Sequence, residues 1–206
     1  QFPADFQPPD GFPGFPGGGG FPGGPGMNAG GVSLQYTDDE PDSYANIFEN
    51  NITKIKEKDQ RRLIASLKGI SQGEALEQYI QVDEVLRYTA CNVFLVNLDS
   101  YFSMMGHNYI LAEDAGKLAM IPWDYNLSFG THNINSANEA VNYPIDTVFS
   151  GVDPESRPII SKLLEQEEYR ERYHAYLREI CEDYIQGGVF DGEIRRVSAM
   201  LDALVA

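Results

Sequence analysis

The apolar positions divide the chain into an unpatterned start, a run of helices, one hairpin and a second helical run. Residues 1–31 carry Gly, Pro and Phe in short repeats such as Phe12-Pro13-Gly14-Phe15-Pro16-Gly17. Proline removes backbone donors and glycine adds chain entropy, so this stretch predicts a flexible linker or insertion. Its regular Phe spacing also allows self-association. Patterning begins near Val32. Asp42-Ser43-Tyr44 opens a helix with Ile47 and Phe48 on one face, and a second helix is predicted from Glu57 to Leu67, where Leu63, Ile64 and Leu67 share helical spacing. Gly69 and Gly73 are expected to interrupt it, and Leu76, Tyr79 and Ile80 form a short apolar stripe.

Asp83 predicts a cap for the next helix, because its carboxylate can accept from the orphan amides of the first turn. That helix, Glu84 to Leu98, places Leu86, Ala90, Val93 and Asn97 on one face and is apolar nearly all round, which predicts burial on several sides. Residues Asn108 to Ala112 alternate as a strand, Glu113-Asp114-Ala115-Gly116 reads as a turn, and Lys117 to Ile121 returns as a second strand ended by Pro122. Residues 131–157 are rich in Asn, Ser, Asp, Gly and Pro and predict a long loop region that shapes a cleft or binds substrate. From Pro158 a helical pattern runs through Ile159, Leu163, Leu164, Tyr169, Tyr173, Leu177, Ile180 and Tyr184 to Gly187-Gly188, and a final helix begins near Asp191. The fold class that follows is α+β, mainly α, with one small antiparallel hairpin.

Composition narrows the function. The chain has 206 residues, with 31 Asp and Glu against 15 Lys and Arg. Such acidity repels phosphate backbones and argues against nucleic acid as a partner. No apolar run reaches the length of a membrane span. Cys91 and Cys181 are expected to be buried thiols within helices. The chain starts within low-complexity sequence and ends within an apolar helical pattern, so it reads as a fragment truncated at both ends, with residues 1–31 as the linker and 32–206 as the folded unit.

The candidate chemistry lies between Asp83 and Gly130. Phosphoryl transfer requires a carboxylate to accept the hydroxyl proton and hard oxygen ligands to hold magnesium against the phosphates. Protein kinases deliver these parts in a fixed order: a buried helix, a loop with a catalytic Asp, an Asn at a strand start, a hairpin, and a second Asp at its exit. Here the same order holds Asp99, Asn108 and Asp124. The loop between Asp99 and Asn108 is longer than in ordinary kinases. There is no His-Arg-Asp string, and Trp123-Asp124-Tyr125 stands where Asp-Phe-Gly would be. Each residue alone has a plainer role: Asp99 as a helix-end or turn residue, Asp124 as a loop acid. His107 is expected to fix the loop by hydrogen bonds, and Trp123 to pack so as to aim Asp124. Asn126 serves either a turn or a metal, and Arg157 either an ion pair with a local acid or a phosphate contact. His132 and His174 carry no spacing signal.

The strings Asn97-Leu98-Asp99-Ser100-Tyr101, His107-Asn108-Tyr109, Ile121-Pro122-Trp123-Asp124-Tyr125-Asn126-Leu127-Ser128-Phe129-Gly130 and Ser156-Arg157-Pro158 resemble the spore-coat CotH kinase family, over roughly residues 32–185. That resemblance implies a protein-kinase-like large lobe and an atypical protein Ser/Thr kinase. It implies ATP and Mg2+ (or Mn2+) as cofactors and Ser hydroxyls of spore-coat or secreted proteins as acceptors. It implies Asp99 as the catalytic residue and Asp124 as a metal ligand. Asn108 as the second ligand follows from its place at the strand start. A phosphate-binding lysine and the lobe that covers ATP are expected upstream of this chain, since Lys54, Lys56 and Lys58 lie beside or within helical sequence. The small lobe would then be largely missing, and the isolated fragment inactive. An inactive CotH-like surface or coat interaction module is the alternative. A metal-dependent hydrolase is a third reading, disfavoured because His and Asp do not cluster at metal-site spacing.

Overall fold

The computed structural model describes residues 32–205, and the expectation for residues 1–31 lies outside that range. A 3-10 turn at Pro41–Tyr44 leads into α1 (Ala45–Phe48). Helix α2 spans Glu57–Gln72, five residues beyond its predicted end. It runs through Gly69, which does not interrupt it. The reason for glycine there is steric: a Cβ at position 69 would lie 2.2 Å from the Tyr79 ring. The helix stops at Gly73 with φ 73°.

Helix α3 spans Val82–Phe94 and is shorter than its apolar run suggested. Asp83 is not its cap. The N-cap position is Gln81, and the Asp83 carboxylate instead accepts from Arg87 Nε at 3.0 Å and from the Tyr176 hydroxyl. Those two bonds, Tyr176 first, hold its carboxyl below the usual range. Strands β1 (Tyr109–Asp114) and β2 (Lys117–Pro122) pair antiparallel, from Tyr109 opposite Pro122 to Asp114 opposite Lys117. Ala115 and Gly116 make the two-residue turn, both with positive φ, 50° and 89°. That is the primed geometry that matches strand twist.

The second helical run is broken rather than continuous: α5 (Pro158–Leu164), α6 (Glu167–Glu179), a π-helical turn at Ile180–Gln186, then α7 (Val189–Val205). A short α4 (Ala137–Val141), capped by the Ser136 hydroxyl, interrupts the otherwise irregular 131–157 region. The result is a mainly helical α+β fold with one two-stranded antiparallel sheet, as the pattern predicted.

One core joins these elements. Leu67 and Ile70 of α2, Val85 and Leu86 of α3, Leu118 of β2, and Ile159, Ile160 and Leu163 of α5 are almost wholly buried. The hairpin is tied to the start of α3 by two backbone bonds, Leu118 N–H to Tyr79 O at 2.8 Å and Gln81 N–H to Leu118 O at 2.9 Å. Cys91 and Cys181 correct the expectation of burial: both are free and exposed, on α3 and in the π-helical turn. No helix among the described residues is long and apolar enough to cross a membrane.

Candidate active site

Helix α3 ends in a tight turn. Val96 N–H bonds Val93 O at 3.0 Å, Asn97 N–H reaches back to Asn92 O at 2.9 Å, and Val96 adopts φ 46°. This is a Schellman turn with valine where glycine is usual. It sends the chain away from the helix axis into the loop that starts at Leu98. Ser100 Oγ closes the first part of that loop on Asn97 O at 2.8 Å.

Asp99 lies at the base of this loop and is 8 % exposed. His107 Nε2 meets its Oδ1 at 2.7 Å. Asn108 Nδ2 donates twice, to Asp99 O at 2.8 Å and to Asp99 Oδ2 at 2.9 Å. Both acceptors lack hydrogens, so the Asn108 amide orientation is fixed. Its two N–H groups are spent on Asp99, and its Oδ1 is the atom left for a cation. Asn108 holds this pose with φ 57°, a left-handed conformation that Asn tolerates better than most residues. An ionised carboxylate offers about four lone-pair sites. The two bonds from His107 and Asn108 therefore leave room on Asp99 for a hydroxyl donor.

Asp124 lies across the hairpin from Asn108. Tyr109 pairs with Pro122, so the next residues outward are Asn108 on one strand and Trp123 on the other, with Asp124 one step beyond. Asp124 has φ 52° and is exposed. The backbone thus turns sharply at the hairpin exit, two residues after the Tyr109–Pro122 pair, and leaves the Asp124 side chain exposed. Trp123 does not pack as expected: it is 60 % exposed, and the sharp turn at Asp124 comes from backbone geometry. Asn126 lies exposed within the 3-10 turn Tyr125–Leu127. Phe129 N–H and Gly130 N–H bond Leu95 O at 2.6 Å and Val96 O at 3.2 Å, which ties the segment after Asp124 to the end of α3.

Arg157 is buried and, among the described residues, pairs with no acid. It is 4 % exposed and braces the loop from beneath. Its Nε donates to Tyr101 O at 2.7 Å and Nη2 to Ser103 O at 2.8 Å, while Nη1 holds Ser156 O at 3.0 Å. The Tyr101 ring lies under its guanidinium. Tyr101 and Tyr109 hydroxyls bond Ser33 O and Val32 O, and burial raises both phenols well above their usual range. His174, which had no spacing signal, meets Asp146 Oδ1 at 2.7 Å, away from this site.

Sequence patterning assigns no chemical role to Asn92, Asn97 or Tyr125, although Asn97 and Tyr125 stand within the strings that carry the family resemblance. Asn92 and Asn97 are 1 % and 3 % exposed. Asn92 Nδ2 donates to Tyr88 O at 2.9 Å and to the Tyr125 hydroxyl at 2.7 Å. Asn97 Nδ2 donates to Asn92 Oδ1 at 3.0 Å, and Asp99 N–H donates to Asn97 Oδ1 at 3.3 Å. A polar amide on an otherwise apolar helix face was the available signal, because a buried Asn must find partners.

Among the described residues no group of three or more His, Cys, Asp or Glu could hold a metal ion. That disfavours a cage built from protein ligands alone. Magnesium asks for less, since it keeps waters and takes one or two carboxylates beside substrate phosphates. Asp124 and Asn108 Oδ1 are hard oxygen donors of that kind.

No curated protein and no solved structure matches the chain. The family model described as CotH kinase protein matches residues 26–206. That match takes in the loop from Asp99 to Asn108, the hairpin and the turn at Asp124, and the chain belongs to the CotH kinase family.

Proposed function

We propose that this chain carries the catalytic loop and metal-side ligands of an ATP- and Mg2+-dependent protein Ser/Thr kinase. In this reading it corresponds to the large lobe of a protein-kinase-like fold, acting on Ser hydroxyls of spore-coat or secreted proteins. The observation that carries the reading is the pair of hydrogen bonds that Asn108 Nδ2 donates to Asp99, which turns the amide oxygen away from Asp99 and leaves the carboxylate able to accept.

In this reading Asp99 accepts the hydrogen of the substrate hydroxyl and takes its proton as the phosphoryl group transfers. His107 donates Nε2–H to Asp99 Oδ1 and holds the carboxylate plane. Asn108 Oδ1 and the Asp124 carboxylate would hold the metal, and Mn2+ suits the same oxygens. Bound magnesium would offset the negative charge of the ATP phosphates. Arg157 holds the loop through the Tyr101 and Ser103 carbonyls, and in this reading it has no phosphate role. We place the phosphate-binding lysine outside these residues; Lys68 and Lys162 pair at the surface with Asp39 and Glu165. The 206-residue chain should therefore bind Mg·ATP weakly, and micromolar affinity by titration calorimetry would refute that part.

The test uses the protein joined to its flanking sequence, labelled ATP, Mg2+ and a Ser-rich acceptor, with Asp99→Asn and Asp124→Ala as variants. Incorporation by the parent and a loss of at least a hundredfold in both variants is expected. Equal incorporation by parent and Asp124→Ala removes Asp124 from the mechanism. No incorporation by any of them assigns the chain to the binding role instead, as a surface or coat interaction module.

A further inference from the structure

Two buried amides connect the loop of Asp99 to the turn of Asp124. The path runs from the Tyr125 hydroxyl to Asn92 Nδ2, from Asn92 Oδ1 to Asn97 Nδ2, and from Asn97 Oδ1 to the Asp99 amide, at 2.7, 3.0 and 3.3 Å. Its polarity is fixed from both ends. Tyr88 O can only accept, so Asn92 Nδ2 must face it at 2.9 Å and Asn92 Oδ1 must face Asn97. The Asp99 N–H can only donate, so Asn97 Oδ1 must face it. Both conditions select the same orientation of both amides. Tyr125 directly follows Asp124, and its hydroxyl meets Asn92 Nδ2 at 2.7 Å.

We propose that Asn92, Asn97 and Tyr125 are positioning residues that set the separation between the Asp99 and Asp124 backbones. The inference rests on the kinase reading for its purpose, but the coupling itself is a property of the chain. In this proposal the three act through their bonded neighbours and not by contact with substrate or metal. Asn92 sits on α3, whose burial against the core makes it the fixed point. Asn97 extends that fixed point to the Asp99 amide, and Tyr125 extends it to the residue after Asp124. The backbone bonds from Phe129 and Gly130 to Leu95 and Val96 hold the far end of the same segment to the same helix end.

Tyr125→Phe removes one hydroxyl and keeps the ring, and Asn97→Ala cuts the path at its other half. Asn92→Asp sets an oxygen against Tyr88 O and serves as the severe variant. Amide hydrogen exchange followed by NMR reads the coupling directly. In Tyr125→Phe the Asp99 amide is expected to exchange at least tenfold faster, after correction for any change at Leu86 on the same helix. An Asp99 rate that moves only in step with Leu86 overturns the proposal. The second readout is the Mn2+ concentration at half-saturation, by spin relaxation of water or by activity. A several-fold rise in both Tyr125→Phe and Asn97→Ala is expected, with the double variant showing less than the product of the two. Independent, multiplicative effects overturn the shared path. If the parent protein neither incorporates phosphate nor binds Mn2+, the kinase reading fails and the exchange experiment alone decides the coupling.

Discussion

Arg157→Met tests whether the loop that carries Asp99 is held from beneath by one guanidinium. Arg157 donates to the carbonyls of Tyr101 and Ser103 at 2.7 and 2.8 Å, and both of those residues are buried. Methionine keeps most of the stem and removes every donor. Hydrogen bonds to a charged donor contribute about 1.5–3 kcal/mol each, and a buried acceptor left alone costs about 1–3 kcal/mol. The two buried bonds give about 3–6 kcal/mol. The Ser156 bonds add less because that residue is half-buried, and release of the guanidinium from burial offsets part of the sum. A net loss of about 3–5 kcal/mol follows. At a slope of about 2 kcal/mol per molar urea, the unfolding midpoint should fall by roughly 1.5–2.5 M. Arg157→Lys should fall about half as far, because an ammonium cannot span both carbonyls. A midpoint shift below about 0.5 M in Arg157→Met would refute the reasoning, since the two carbonyls would then be satisfied without Arg157.

The remaining predictions concern the frame around the site. Gly69→Ala places a Cβ 2.2 Å from the Tyr79 ring, so a loss of about 1–2 kcal/mol is expected despite the better helix propensity of alanine. A rise in Tm would show that the ring swings aside at no cost. Glu113 holds Arg62 through both oxygens, at 2.6 and 2.5 Å, and this bond to Arg62, more than any other cause, keeps the Glu113 carboxyl below its usual value of 4.5. A depressed folded pKa stabilises above the unfolded pKa and loses that contribution as pH falls through the folded value. The stability gap between the parent and Arg62→Gln should therefore be constant above about pH 4.5 and close below it. A gap that stays constant down to pH 2.5 in urea titrations would remove the Arg62 pair as its source.

The hairpin and most of the core were legible because their residues follow simple periods. Leu63, Ile64 and Leu67 repeat at helical spacing, and all three are buried. The strand pair was found within a residue or two, because alternation and Pro122 mark its limits. At the site, the order of Asp99, Asn108 and Asp124 was readable, but the function of Arg157 and Trp123 was not. An Arg close in sequence to Asp153 and Glu155 suggests an ion pair, yet the carbonyls of Tyr101 and Ser103 take its donors instead. Trp123 suggested packing, yet a residue at the hairpin exit has no layer above it. The break at Glu165–Gln166 was hidden because apolar spacing survives across it, from Leu164 to Tyr169. Cys91 and Cys181 show the opposite error, since apolar neighbours in sequence point to other faces of a helix.

The end of α3 was the costliest feature to miss, because the site depends on it. Sequence gave no stop signal: Leu95, Val96 and Leu98 continue the apolar run, and no glycine marks the C-terminus. The helix stops because Asn92 and Val93 accept from Asn97 and Val96, and that turn requires φ 46° at Val96. A β-branched residue in this region pays about 1–2 kcal/mol in local strain. Val96→Gly removes that strain, while glycine costs about 0.5–1 kcal/mol in chain entropy and the loss of a half-buried side chain costs about 1 kcal/mol. The two sides nearly cancel, so Val96→Gly should alter stability by less than about 1 kcal/mol. Val93→Gly, at a buried helical position three residues earlier, should cost at least about 3 kcal/mol from helix propensity and cavity together. Equal losses at the two positions in urea unfolding would show that Val96 is not strained. The helix end would then need another cause, and the bonds from Phe129 and Gly130 to Leu95 and Val96 would be the first to examine.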